Sequence, residues 1–243
     1  MLFTTSWDDG RKEDLKLAAL LEKYGATGTF YISPPATHEK PALSDSEIAM
    51  LSQHHEIGAH TITHPRLTRM KPEDARREIT DSKQWIERIT AKPCTMFCYP
   101  YGDENAAMRT LVQEAGYIGA RTVEQLQFSS GDPFGLPTTL QIYPFPFRRK
   151  FTRWWHPLDP VARLRLFFPQ LLSFGVLPGA AVSWLSLAKA LFQYAQKTQQ
   201  PFFHLWGHSW EIEKYGMWGN LEKFLIYVRR QENVTYTCNS GLL

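Results

Sequence analysis

The sequence predicts an α/β fold built on a parallel β-sheet. Short runs rich in β-branched and aromatic residues alternate along the chain with longer amphipathic segments that carry helix start and stop signals. Several polar residues also stand where the predicted strands end, which is where sites gather in parallel α/β folds. The 243 residues suit one large domain. We expect residues 1–243 to form a single domain around an open doubly wound sheet or a closed barrel.

The individual elements follow from local signals. Gly25 ends the first helix, a capping box at Ser44–Glu47 opens the second, and Pro72 stands in the first turn of the third. The predicted strands are residues 2–7, 27–32, 56–59, 95–99, 117–120, 201–206 and 234–238. The predicted helices are residues 12–24, 44–53, 72–89, 104–115, 184–199 and 220–231.

The alternation stops at about residue 129. Residues 129–182 hold eight of the sixteen prolines, which disfavour helix interiors and central strands. The β-α pattern resumes afterwards and has to complete the same sheet. We therefore interpret residues 129–182 as an elaboration of one domain.

Composition bears on which classes of function, and which cellular location, we expect for the protein. The formal charge of +3 is too small to indicate a nucleic-acid-binding surface. The three cysteines do not predict a disulfide framework, and no apolar run is long enough for a transmembrane helix. Because no signal peptide is visible, we expect a reduced, cytoplasmic protein.

Two motifs place metal-binding side chains at strand ends. Asp8 and Asp9 follow the first strand, and His60 and His64 follow the third, at a spacing that would share one face of a helical turn. One carboxylate and two imidazoles can hold a divalent ion and leave positions for water and substrate. The second carboxylate is then available as a base. Either motif alone is a weak signal, since Asp-Asp is common in turns and H-x-x-x-H arises by chance.

Two later strands end in residues that could join this site. Tyr101 follows strand 95–99, and His208 follows strand 201–206. His204 and His208 share one face of that strand by its period of two, and His208 is nearer the carboxyl end. We therefore favour His208 as a proton donor and interpret His204 as a hydrogen-bonded core histidine. Trp210 and Glu211 are candidates for the rim.

Together these motifs resemble those of the polysaccharide deacetylase family, the NodB-homology hydrolases of carbohydrate esterase family 4. Thr5–Gly10 is similar to the family motif T-F-D-D-G, His60–His64 to H-[ST]-x-x-H, Tyr99–Gly102 to the end of R-x-P-Y, and Phe202–His208 to L-x-H. The resemblance covers residues 1–125 and 200–243. It implies one catalytic domain with a distorted (β/α)7 barrel of the NodB-homology type, elaborated near residues 129–182.

The resemblance also implies a role for each site residue. Asp8 would be the general base, His208 the general acid, and the backbone N–H of Tyr101 part of an oxyanion hole. The implied metal ligands are Asp9, His60 and His64, and the predicted substrate contacts are Pro100, Arg121 and Trp210. The expected cofactor is one divalent ion, Zn²⁺, with Co²⁺ or Ni²⁺ as alternatives.

The expected activity is hydrolysis of an N-acetyl group on a sugar or glycan by a metal-activated water, which releases acetate and a free amine. Two alternatives stay open. One is hydrolysis of another linear or cyclic C–N bond, such as a formamide or a ureide. The other is a non-catalytic glycan-binding homologue, against which the intact set of predicted ligands, base and acid argues.

The sequence departs from the family at the partner of the base. The arginine of R-x-P-Y is Cys98 here, and the later aspartate motif that pairs with this arginine is not recognisable. Arg121, after the predicted strand 117–120, could supply the missing positive charge, or it could form a surface salt bridge. The departure also leaves open a substrate other than chitin or peptidoglycan.

Arginines and aromatic residues interleave between Phe145 and Leu172. This pattern could bind an anionic or phosphate-linked glycan, or it could rest on an anionic membrane surface as a peripheral contact. We favour a simpler interpretation, an amphipathic helix whose basic face is solvated. The oligomeric state does not follow from the sequence.

Overall fold

Eight parallel strands form the centre of the computed structural model, which describes residues 1–35, 41–145, 167–176 and 178–243. The strands are β1 (Leu2–Asp8), β2 (Thr29–Ile32), β3 (Glu56–Ala59), β4 (Met96–Cys98), β5 (Gly119–Arg121), β6 (Leu140–Gln141), β7 (Phe202–Gly207) and β8 (Thr235–Thr237). The α-helices are α1 (Glu13–Lys23), α2 (Asp45–Leu51), α3 (Pro72–Thr90), α4 (Ala106–Glu114), α5 (Trp184–Lys197), α6 (Ser209–Tyr215) and α7 (Trp218–Arg229).

The sheet curls into a distorted barrel. The strands follow one another as β5-β4-β3-β2-β1-β7-β6, and β8 also pairs with β1. A bridge between Arg121 and Leu136 joins the β5 edge to the segment that continues into β6, and β6 pairs with β7. The two ends of the sheet are thus connected, and the distorted barrel predicted from the sequence is confirmed.

The outer face of the sheet packs against helices through aromatic side chains. The ring of Phe3 in β1 lies 6.2 Å from the ring of Phe192 in α5 and 6.2 Å from that of Phe224 in α7. Trp184, which opens α5, lies 5.7 Å from Phe224. Burial of these large side chains stabilises the contact between the sheet and its covering helices.

The inner face of β1 carries polar side chains at every second position. Thr4 Oγ1 donates to Asn239 Oδ1 at 2.9 Å, and Ser6 Oγ lies 2.8 Å from His204 Nε2. His204 is fully buried, which confirms the predicted core histidine. The next inward position is Asp8, so a polar column runs through the barrel and ends at the rim.

The structure differs from the sequence prediction in two places that matter for the site. Residues 60–64 form a loop rather than a helical turn, because Thr61 and His64 have φ values of 65° and 55°. Helix α6 begins directly after His208, where the sequence predicts no helix. The helix ends at Gly216, which adopts the left-handed conformation. A glycine at this position is the sequence signal that marks the end of the helix.

The segment at residues 129–182 is described in part. It contributes β6 and a helical stretch at residues 167–173. Residues 146–166 lie outside the described part of the chain, so the interpretations of Phe145–Leu172 stay predictions. None of the helices in the described ranges combines the length and apolarity needed to cross a bilayer.

The buried carboxyl group of Asp14 in α1 should make the stability of the protein depend on pH. Its side chain is fully buried, and burial raises its pKa to about 8. The folded protein therefore keeps a proton that the unfolded chain releases near pH 4, so stability should fall as the pH rises from about 4 to about 8. The Asp14→Asn variant should lose this slope, which can reach about 1.4 kcal/mol per pH unit. Urea unfolding of both proteins across this range measures it, and parallel curves would contradict the role of Asp14.

Candidate functional site

A cleft of about 640 Å³ opens at the carboxyl ends of the strands. It is lined by acids, imidazoles and aromatic rings from five different strand ends and loops. The predicted site residues among its lining are Asp8, Asp9, His60, His64, Tyr101, His208, Trp210 and Glu211. The barrel topology thus brings together side chains that are up to two hundred positions apart in the chain.

Asp8 is held by a buried ion pair. Both of its carboxylate oxygens accept hydrogen bonds from Nη2 of Arg121, and both side chains are almost completely buried. Burial raises the pKa of Asp8, but the charges of Arg121, His60 and His208 outweigh this effect and bring the pKa below its ordinary value. Asp8 is therefore an ionised carboxylate with a fixed orientation.

Cys98 lies next to both Arg121 and Asp8, and its small side chain lets the guanidinium from β5 contact the carboxylate. Cys98 and Arg121 are register partners on the neighbouring strands β4 and β5, and the Cys98 thiol lies 4.0 Å from Asp8 Oδ2. A small side chain on β4 leaves space beside the carboxylate for the guanidinium from β5. The hypothesis that Arg121 supplies the positive charge, in place of an arginine at position 98 on β4, agrees with this geometry.

Asp9, His60 and His64 form a second cluster at the rim. Their potential ligand atoms lie within 4.8 Å of one another. The Nε2 atoms of the two histidines are 3.1 Å apart, and His64 Nε2 is 3.7 Å from Asp9 Oδ1. Nδ1 of His60 donates to the carbonyl oxygen of Cys98 at 2.8 Å, which leaves the lone pair on Nε2.

The charges in this cluster suit a cation. Burial lowers the pKa of His60 to about 4 and also lowers the pKa of His64, so both imidazoles are neutral at pH 7. Burial opposes ionisation of Asp9, but the charges of His208 and His60 and a hydrogen bond from Trp210 Nε1 at 2.9 Å bring its pKa to about 2. Two neutral nitrogens and one carboxylate fit a divalent ion such as Zn²⁺.

Asp8, His60 and Cys98 form an alternative ligand set, whose potential ligand atoms also lie within 4.8 Å of one another. Arg121 already engages both oxygens of Asp8. Burial raises the pKa of the Cys98 thiol well above its ordinary range, and a protonated thiol is a poor metal ligand. The donor chemistry therefore favours the cluster of Asp9, His60 and His64.

Unusual backbone conformations concentrate at the site. Four of the eight non-glycine residues with positive φ in the described ranges are Asp9, Thr61, His64 and Tyr101. Such conformations are rare for side chains with a Cβ and are retained where function requires them. Gly10 also has a positive φ, and a Cβ there would approach Ile32 Cγ2 to 2.5 Å. The loops thus turn sharply enough to direct Asp9 and His64 to one point.

His208 is paired with Glu211. Nδ1 of His208 donates to Oε2 of Glu211 at 2.9 Å, across one turn of α6. Burial disfavours the charged imidazole, but this hydrogen bond and the nearby carboxylates raise the pKa of His208 to about 9. His208 is therefore protonated at pH 7. Glu211, a rim candidate from the sequence, is thus also the partner of His208, and the i, i+3 spacing of the two residues is the sequence signal for this pair.

Two predicted substrate contacts lie away from the cleft. Pro100 is buried, and Arg121 is enclosed between Asp8 and the ring of Trp206, 4.7 Å from its guanidinium carbon. Arg121 is thus a partner of Asp8 rather than a surface for substrate. Trp210 lines the cleft as predicted.

Residues 3–120 match the family model described as polysaccharide deacetylase. Over these residues, just under half of its length, the chain is similar to the polysaccharide deacetylase family. Among the curated relatives, peptidoglycan-N-acetylmuramic acid deacetylase PdaC from Bacillus subtilis is 32% identical over 90 residues, which are 37% of this chain and 19% of that protein. The chain spans about half or less of the length of the curated relatives it matches.

Solved structures of this polysaccharide deacetylase fold cover the whole chain. The Xyl-CE4 domain of a multidomain xylanase from the hindgut metagenome of Trinervitermes trinervoides has a TM-score of 0.60, with 14% identity, over 99% of this chain and 88% of that one. A family 4 pseudoenzyme from Bacillus anthracis has a TM-score of 0.59, with 12% identity, over 99% and 64%. These likenesses show the NodB-type barrel alone, and activity has to be argued from the site.

The ion pair of Asp8 and Arg121 can be tested through stability. Arg121→Met should leave a buried carboxylate without its partner and lower the free energy of unfolding by about 3–5 kcal/mol. The double variant Asp8→Asn/Arg121→Met should recover part of this loss. Arg109→Met is the control, because its salt bridges to Glu104 and Asp132 are partly exposed. Denaturant unfolding that shows equal losses for Arg121→Met and Arg109→Met would refute the buried pair.

Proposed function

We propose that the protein hydrolyses the N-acetyl amide of a glycan with one divalent metal ion held by Asp9, His60 and His64. The proposal rests above all on the different partners of two neighbouring carboxylates. Asp8 is held by Arg121, whereas Asp9 faces two neutral imidazoles. One carboxylate is thus suited to accept a proton and the other to bind a cation.

The donor set supports Zn²⁺, and Co²⁺ suits similar ligands. A bound ion would supply Lewis acidity, which lowers the pKa of a coordinated water to about 7. The hydrogen bond from His60 Nδ1 to Cys98 O fixes the ring and leaves Nε2, which lies 3.1 Å from His64 Nε2, as the atom that would hold the ion. Trp210 orients Asp9 in the same way, through its hydrogen bond to Oδ2.

Asp8 would act as the general base. It is ionised, and it lines the same cleft as the metal-binding cluster. Each carboxylate oxygen has more than one lone pair, so Asp8 can accept a proton from water while Arg121 holds the group in place. General bases contribute about 10²–10⁴-fold to the rate of a reaction.

His208 would act as the general acid. Its Nδ1 is bound to Glu211, which leaves Nε2 to deliver a proton to the departing amine. The raised pKa keeps this proton in place at neutral pH. Asp8 and His208 thus hold opposite protonation states before the reaction, as a base and an acid require.

The mouth of the cleft suits a sugar. Tyr101 is in the left-handed conformation, and its backbone N–H could stabilise the oxyanion of an amide under attack. The exposed ring of Tyr101 and the indole of Trp210 line the cleft. Aromatic faces of this kind stack on sugar rings.

The activity can be tested by product analysis. We expect acetate and free amine from N-acetylglucosamine oligomers or from peptidoglycan strands, measured by enzymatic acetate assay and mass spectrometry. Turnover of formamides or ureides without acetate release would support the other C–N hydrolases instead. Glycan binding without any turnover would indicate a non-catalytic homologue, as in the pseudoenzyme that shares this fold.

Asp8→Asn should retain the metal and reduce turnover by about 10²–10⁴-fold, because only the proton acceptor is removed. Metal content is measured by mass spectrometry and activity by acetate release. Asp81→Asn, an exposed position on α3, is the matched control and should behave as wild type. An active Asp8→Asn variant would rule out the assignment of the base.

Metal removal should abolish activity, and His64→Ala should lower the metal content. Dialysis against a chelator followed by titration with Zn²⁺ or Co²⁺ should restore acetate release at about one equivalent, since the cluster offers one set of three ligands. Full activity in protein containing less than about 0.1 equivalent of metal would contradict a metal-dependent mechanism.

A further inference from the structure

Arg66 lies in the wall of the cleft, two residues after His64. Its guanidinium carbon stands 4.5 Å from the ring centre of Tyr101, and that ring is 4.7 Å from the ring of His64. One aromatic ring therefore separates the positive charge from a candidate metal ligand. A substituent near Arg66 would belong to the reacting sugar or to its neighbour.

The other charged groups of the described cleft lining have close partners. Asp8 is bound by Arg121, and Glu211 is bound by His208 at 2.9 Å. Asp9 belongs to the cluster with His60 and His64. Each of these charges is already used by the proposed chemistry.

Arg66 is held much more weakly. Its ion pair with Asp103 has an N–O distance of 4.0 Å, and the side chain of Arg66 is 44% exposed. Oδ2 of Asp103 accepts hydrogen bonds from the backbone N–H and the hydroxyl of Thr68, at 2.9 and 2.8 Å. A partly exposed ion pair of this length contributes little to stability. An incoming anion can therefore compete with Asp103 for Arg66.

The contact with Tyr101 also sets the geometry. The N–H groups of a guanidinium lie in its own plane and point outward from its edge. A guanidinium whose face contacts an aromatic ring therefore keeps these donors free for hydrogen bonds. That edge can bind a carboxylate or a phosphate with two parallel hydrogen bonds. Because the stacked ring restricts the side chain, less conformational entropy is lost on binding.

We propose that Arg66 recognises an oxyanion, a carboxylate or a phosphate, on the glycan about one sugar unit from the N-acetyl group that is hydrolysed. This inference rests on the proposed function and deepens it, because it assigns the substrate to the anionic glycans. Arg66 is a specificity-determining residue and takes no part in the proton transfers.

The test compares Arg66→Gln with Arg69→Gln, an exposed arginine three residues later that does not line the cleft. The substrates are a peptide-free N-acetylmuramic acid oligosaccharide, its carboxyl methyl ester, and a chitooligosaccharide with and without a 6-phosphate. Arg66→Gln should lower kcat/KM, mainly through KM, about tenfold more on one charged substrate than on its neutral counterpart. Arg69→Gln should show no such difference.

The pair of substrates that shows the difference identifies the anion. Equal effects of Arg66→Gln on charged and neutral substrates, for both pairs, would overturn the proposal. The same glycans are also titrated by calorimetry into Asp8→Asn and Asp8→Asn/Arg66→Gln. Selective loss of charged-glycan binding supports the role of Arg66 even if no substrate is turned over, an outcome that would refute only the proposed function. Absence of that selectivity in binding would refute the role of Arg66.

Discussion

The buried ion pair between Asp8 and Arg121 is the interaction on which the rest of the site depends. A carboxylate in the interior of a barrel would ordinarily take up a proton or destabilise the fold. The guanidinium of Arg121 keeps Asp8 ionised and engages both of its oxygens. In the proposed mechanism, the cation is left to Asp9 and the two histidines, and Asp8 stays available to accept a proton.

The division between Asp8 and Asp9 follows from the backbone. Asp8 is the last residue of β1 and continues the inward alternation of Thr4 and Ser6. Asp9 has a φ of 86°, so the chain turns there and its side chain faces the rim instead of alternating further. Gly10 completes the turn against Ile32. Two adjacent carboxylates can therefore have different partners and different roles.

Much of this organisation could be predicted from the sequence, because hydrophobic periodicity and strand-end polar residues indicate a parallel sheet with a site at one edge. The choice of a barrel over an open sheet comes from the resemblance of the motifs to the polysaccharide deacetylase family. The positions of Asp8, Asp9, His60, His64 and His208 at one rim follow from that topology. The loop conformations at Thr61 and His64 could not be predicted, since left-handed φ values in non-glycine residues are imposed by tertiary packing. The contact of Arg121 with Asp8 needed the β4–β5 register, which places it beside Cys98.

The most direct test of this account is an anomalous-scattering map of zinc-loaded crystals, recorded at the zinc absorption edge. The account predicts one peak bound by Asp9 Oδ1 and by Nε2 of His60 and His64, with Asp8 still paired to Arg121. A peak bound by Asp8, His60 and Cys98, the other cluster of potential ligands, with Arg121 displaced, would contradict the central claim.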